Sequence, residues 1–222
     1  MSGLYDRLAL LRRRWRFRTA YGFLPPEEWS DWSGYDALLD ELGPRLEVPG
    51  HVLEIGVFLG GGTFKLSKFL ERHAPGKRVF ALDIFDPTFD ATSCTEGREM
   101  RELYRDALAG RSQHEVFAEV TADCANLAVI EGDSAVVAVP EVALCFAFID
   151  GNHDAAYVRS DFELAWSRLS PGGVVALHDY GFNIPQVTKT VHRLIGDHAE
   201  EIGRVWVNGI TIFVERASAR AA

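Results

Sequence analysis

Val52-Leu53-Glu54-Ile55-Gly56-Val57-Phe58-Leu59-Gly60-Gly61-Gly62-Thr63 is the stretch that decides the fold. An apolar run, 51–57, ends in a glycine-rich turn, and the turn opens an amphipathic stretch, 63–73. That order reads as a buried strand, a tight turn and a helix. Glycines permit positive φ and let a ligand approach the backbone. The helix start offers free N–H groups. A dinucleotide fingerprint needs Gly-x-Gly-x-x-Gly, which Gly56 followed by Gly60, Gly61 and Gly62 does not satisfy. A P-loop ends in Gly-Lys-Ser/Thr, whereas Lys65 stands two residues beyond Thr63. Glu54 would repel a phosphate. It suits a ligand with a positive charge, such as an amino-acid moiety or a sulfonium.

The same alternation continues outward. Strands are expected at 78–84, 143–149 and 173–177, with short candidates at 116–118 and 128–130. Helices are expected at 97–108, 155–169 and 184–197. Repeated strand–helix units imply a mainly parallel sheet covered on both faces, an α/β architecture. Asn208-Gly209 lies between two β-rich runs, 204–207 and 210–214, a hairpin signal that adds one antiparallel strand.

Acids stand where this sheet would present them to a ligand. Asp83 ends the second strand, about twenty residues after the glycine turn, a position suited to ribose hydroxyls. Asp133, in Glu131-Gly132-Asp133-Ser134, follows a short apolar run and could accept a hydrogen bond from an adenine amino group. These segments, with Asp83-Ile84-Phe85-Asp86-Pro87, Ile149-Asp150-Gly151-Asn152-His153 and Pro171-Gly172-Gly173…His178-Asp179-Tyr180, resemble class I S-adenosylmethionine-dependent methyltransferases. The resemblance spans about residues 50–215 and is nearest the small-molecule group that includes macrocin O-methyltransferase and cephalosporin-hydroxylase-like proteins. It implies a Rossmann-like seven-stranded sheet with an antiparallel C-terminal strand and helices on both faces. Glu54, Gly56, Gly60, Gly61 and Gly62 would cradle the methionine part of S-adenosylmethionine, with Thr63 opening the helix behind them. Asp83 would bind the ribose and Ile84 the adenine face. Asp133 and Ser134 would lie near the adenine amino group, and Asp150 would face the same crevice.

Asp150 closes one strand, with His153 in the turn after it, and His178-Asp179 closes the next. Ligands of open α/β sheets bind outside such strand ends. The expected chemistry is a divalent metal, Mg²⁺ or Mn²⁺, held by Asp150, His178 and Asp179, with His153 as the other histidine available. It would hold an acceptor hydroxyl and lower its pKa. The resembling metal-dependent enzymes usually carry two adjacent acids where this chain has His178-Asp179. Metal-free chemistry, with His153 or His178 as general base, is the alternative. A cofactor-binding module without catalysis is a third reading. Asp161 reads as a solvated or supporting acid, and Trp29–Tyr35 and Tyr180–Phe182 as candidate pocket or packing segments.

The composition sets outer limits. The chain has 222 residues, 47% of them hydrophobic, enough for one ordinary domain with an added segment. Its net charge of −9 argues against nucleic acid as a partner. No apolar run reaches the ~18 residues of a membrane span. Three scattered cysteines suggest reduced thiols and a cytoplasmic setting. The first twenty residues hold six arginines against one acid, so they carry +5 and the remainder −14. Leu4, Tyr5, Leu8, Leu11 and Trp15 recur there at helical spacing. This basic amphipathic helix is expected to pack on the domain or on a second copy. A membrane surface, another anionic partner or a transit signal are its other readings. The expected organisation is a helical extension over 1–48, the ligand-binding domain over 49–216 and a disordered tail over 217–222.

Overall fold

The computed structural model describes residues 2–24, 36–94 and 96–218. Its seven strands are β1 (His51–Ile55), β2 (Val79–Asp83), β3 (Leu127–Glu131), β4 (Leu144–Ile149), β5 (Leu169–Leu177), β6 (Ile202–Asn208) and β7 (Thr211–Arg216). The helices are α1 (Ser2–Tyr21), α2 (Asp36–Leu42), α3 (Gly61–His73), α4 (Met100–Leu108), α5 (Gln113–Thr121), α6 (Ala155–Trp166) and α7 (Pro185–Asp197). The strands lie in the order β3-β2-β1-β4-β5-β7-β6. All pairs from β3 to β5 are parallel, and β7 runs antiparallel to both neighbours. This is the Rossmann-like α/β sheet that the sequence implied. The terminal turn falls on Gly209 and Ile210, one residue later than the Asn-Gly pair suggests, with Gly209 at φ 63°.

Alternation along the central strands serves two cores, as a pleat with side chains on both faces requires. Leu53, Ile55, Ile149, Val175 and Leu177 join α6 and α7 on one face. Val52, Phe146, Phe148, Val174 and Ala176 join α1, α2 and α3 on the other. Every residue of β4 is buried, the mark of a strand covered on both faces. Among the described residues of the N-terminal helices, Phe17, Tyr21, Leu38, Leu39 and Leu42 pack into the second of these clusters.

Two expectations fail. The stretch 116–118 lies within α5, because Val116, Phe117 and Val120 form one buried helical face against Leu59 and Ala81. Among the described side chains of α1 the buried ones are Phe17 and Tyr21, whereas Leu11 and Trp15 are 61% and 68% exposed. Phe17 and Tyr21 stand at i and i+4 and continue into Phe23 through edge-to-face ring contacts. The leucine–tryptophan stripe therefore faces outward along its described part.

Candidate active site

The order of the strands reverses between β1 and β4, and an open α/β sheet places its ligand crevice at that switch. Here the chain ends of β1 and β4 nearly touch. A Cβ on Gly56 would come within 2.1 Å of the Asp150 carbonyl oxygen, and Gly56 holds φ 81°. Glycine is needed there for contact as well as for conformation. Gly60 caps α3 in the left-handed region and leaves no room for a Cβ against Phe117.

A crevice of about 590 Å³, its open mouth included, lies above the switch. Gly56, Asp83, Ile84, Asp133, Ser134 and Asp150 line it, as the sequence suggested. Asp83 also braces it. Its Oδ2 accepts from the backbone N–H of Val57 (2.8 Å) and Phe58 (3.1 Å), and its Oδ1 from Phe85 (2.7 Å). The Gln113 side chain adds a further hydrogen bond to the same carboxylate. Asp133 accepts from the backbone N–H of Ala135 (2.9 Å) and from the Tyr157 hydroxyl (3.0 Å). Phe58, Phe85 and Asp179 all hold positive φ. Non-glycine strain of this kind gathers at functional sites.

Other expected cofactor residues lie behind the crevice. Glu54 is 1% exposed and accepts a 2.5 Å hydrogen bond from Thr63, so the two form a buried brace between β1 and α3. Burial pushes its carboxyl up to about 8, and the Asp150 and Asp83 charges add to this, against the Thr63 bond. Gly60, Gly61, Gly62 and Thr63 likewise do not line the crevice. The spacing rightly showed a turn that places β1 and α3. It did not show which atoms face the ligand.

Beside the crevice stands a buried cluster of acids and histidines. His153 bonds Asp90 Oδ2 through Nδ1 (2.6 Å) and Asp179 Oδ2 through Nε2 (2.9 Å). His178 bonds Asp150 Oδ1 through Nδ1 (3.1 Å) and lies 3.5 Å from Asp179 Oδ1. Burial opposes charge on both rings, but the bonds to Asp179 and Asp90 hold His153 up at about 10. The charge and hydrogen bond of Asp150 do the same for His178. Burial would raise the Asp179 carboxyl, yet the hydrogen bonds from His153 and His178 hold it far below the ordinary carboxylate range. Asp90 is lowered in the same way through His153. Two imidazolium rings thus sit among three carboxylates near neutral pH. Each ring is held by its carboxylate partners.

The donor set differs from the expected one as well. Among the described residues, Asp150, His153 and Asp179 each offer a ligand atom within 4.8 Å of the others. His153 therefore replaces His178 in the set, and His178 braces Asp150 instead. The set fits a divalent cation. Two carboxylates and an imidazole suit Mn²⁺ or Mg²⁺, and a cation taken up at Nε2 would displace the proton that His153 otherwise shares with Asp179. Asp90 on Nδ1 aims Nε2 of His153 at the site, the usual support for a metal-ligating histidine.

Sequence reading missed Asp90, Gln113 and Tyr104. Gln113 donates to the Phe58 carbonyl (3.2 Å) and lines the crevice. Tyr104 reaches in from α4, with its ring 4.8 Å from that of Phe58. Burial and the charges of Asp150, Asp90 and Asp179 hold its phenol well above 10. All three lie in the 84–113 connection, where helical periodicity hides a side chain aimed at a ligand. Asp161 is buried under Gly151 rather than solvated, and burial pushes its carboxyl up to about 7, against a hydrogen bond from Ser134. Tyr180 bonds His192 (2.8 Å) and Phe182 is 55% exposed. Trp29–Tyr35 lies outside the described residues.

Comparison with known proteins agrees with this geometry. A methyltransferase-domain family model matches residues 53–180, the span from β1 through the turn after β5. The structure is similar to the O-methyltransferase NovP (17% identity, 81% of this chain and 79% of that one, TM-score 0.61). It is similar to the calicheamicin methyltransferase CalS11 (17%, 81% and 77%, TM-score 0.62). It is also similar to MycE of the mycinamycin pathway, solved with Mg, SAH and mycinamycin VI (17%, 82% and 49%, TM-score 0.50). No curated protein matches the chain. With more than half of its length matched and the switch-point crevice in place, the chain belongs to this methyltransferase-domain family and is a class I S-adenosylmethionine-dependent methyltransferase.

Proposed function

We propose that the protein methylates a hydroxyl of a small molecule, a natural-product sugar, polyketide or phenol, with a divalent cation at Asp150, His153 and Asp179. One observation carries this reading: the crevice and the buried acid–histidine cluster share Asp150, so cofactor and acceptor would meet at one carboxylate. When bound, S-adenosylmethionine supplies an electrophilic methyl, and the cation supplies Lewis acidity toward the acceptor hydroxyl.

The chain's own residues do the positioning. Gly56 and the braced Asp83 shape the floor for the methionine and ribose parts, and Ile84, Asp133 and Ser134 shape the adenine end. Asp90 fixes the His153 ring. His178 orients Asp150. Tyr104 and Phe58 close the crevice from above and exclude water, which strengthens the fields inside. Much of the rate gain is then orientation of two reactants. A metal-free reaction would need His153 or His178 to give up, unaided, a proton that its carboxylate partners hold, whereas a cation bound at Asp150 and Asp179 would itself displace the Nε2 proton of His153. That makes it the weaker reading, and a module without catalysis would leave the cluster without a use. NovP, CalS11 and MycE support the choice of small molecules.

The extension over 1–48 is proposed as a cap that shares the domain's core. The outward Leu11–Trp15 part of α1 is the proposed surface for self-association, and the described residues contain no helix long and apolar enough to cross a membrane. The separate thiols of Cys94, Cys124 and Cys145 support a cytoplasmic setting. Incubation with labelled S-adenosylmethionine and a panel of hydroxylated sugars, polyketides and phenols, with and without EDTA, tests the reading. Metal-dependent label transfer to oxygen supports it. Transfer only to nitrogen or carbon acceptors contradicts it.

A further inference from the structure

We infer that the acceptor carries a phosphoryl or diphosphate group, held in an arginine-lined groove on the outer side of α4. This rests on the hydroxyl-methylation reading and names its substrate class. The groove is lined by Arg101, Arg105 and Arg111 together with Glu99, Glu102 and Pro87. It adjoins the cofactor crevice: Pro87 lines both, and α4 forms the wall between them. Tyr104 faces the crevice, while Arg101 and Arg105, at i and i+4, share the groove face.

Three guanidinium groups line the groove against two carboxylates. Glu99 and Glu102 are engaged in the capping box at the start of α4, each accepting a backbone N–H of the other's turn. Arg101 pairs with Glu99, and Arg111 pairs with Glu119 at 2.7 Å. Arg105 is exposed, and its guanidinium has no ion pair or hydrogen bond among the described residues. Guanidinium groups present forked donors that match phosphate oxygens. S-adenosylmethionine has no phosphate to fill such a groove.

The crevice itself is lined by Asp83, Asp86, Asp90, Asp133 and Asp150, which would repel an anionic acceptor. A groove beyond Pro87 lets the two ends of one molecule separate. The hydroxyl reaches Asp150, and the phosphoryl end stays with the arginines. A nucleotide-linked acceptor and a simple phosphate ester share this chemistry.

The test is calorimetric titration of the full chain, saturated with S-adenosylhomocysteine, with inorganic pyrophosphate and separately with uridine diphosphate. Saturable binding of pyrophosphate is expected, weaker at higher salt. Arg105→Ala should weaken it about tenfold or more, the scale of one lost charge-assisted hydrogen bond. Arg193→Ala, an exposed arginine on α7, should leave it unchanged. Tighter binding of uridine diphosphate supports a nucleotide-linked acceptor, and equal binding supports a phosphate ester. If S-adenosylhomocysteine binds but neither probe does, or if Arg105→Ala binds as well as the native chain, this inference is overturned and the crevice reading stands. If S-adenosylhomocysteine itself fails to bind, the crevice reading falls.

Discussion

At the residue scale, Gly56 lines the crevice and Glu54 lies buried behind it. Gly56→Ala would place a methyl against the Asp150 carbonyl in the left-handed region. It should cost about 2 kcal/mol or more of stability and abolish cofactor binding, measured by thermal unfolding and calorimetry. Glu54 keeps its proton up to about pH 8 in the folded chain, whereas an unfolded glutamate loses it near 4.5. The folded state binds the extra proton between those values. Stability from this group is therefore full below 4.5 and is lost as pH rises through about 8. Glu54→Gln should flatten the fall in melting temperature over that range. An unchanged slope would mean that Glu54 is charged in the fold. Asp150→Asn should weaken Mn²⁺ binding about tenfold or more, read by electron paramagnetic resonance. Unchanged binding would end the metal proposal. The acids of the crevice were legible because each closes a strand. Asp90 was not: it is one of several acids in a long connection, and only the folded loop brings it to His153.

At the element scale, strands were easier to read than helix faces. Apolar runs bounded by turns gave β1, β2, β4 and β7 to within a few residues. The short run at 116–118 misled, because three residues cannot separate a period of two from one of 3.6, and Val120 completes the helical face. In α1, tryptophan and leucine spacing suggested one face, but the ring contacts of Phe17 and Tyr21 decided the other. Phe17 is 6% exposed and lies under the Lys65 ammonium. Phe17→Ala should cost about 3 kcal/mol or more, as buried aromatic truncations do. Trp15→Ala should change monomer stability by about 0.5 kcal/mol or less. Chemical denaturation of both variants checks this. Equal losses would contradict the packing of α1.

At the scale of the whole molecule, the uneven charge takes on structure. Part of the acidic excess is concentrated at the carboxyl ends of β1, β2, β4 and β5, where His153 and His178 answer some of it from within. Such a crevice favours cationic ligands, in keeping with a sulfonium cofactor. The topology was legible because alternation of elements fixes a parallel sheet, and its switch point fixes the crevice. The acceptor side was not legible, because it is built from a connection without periodic constraint. The central claim is that this crevice binds S-adenosylmethionine over Asp83 and Asp150. Calorimetric titration of the native chain and of Asp83→Ala with S-adenosylhomocysteine tests it most directly. One site per chain, weakened about tenfold or more in Asp83→Ala as expected for a lost hydrogen bond to a charged group, is the predicted result. No saturable binding to the native chain, or equal binding to both, would contradict it.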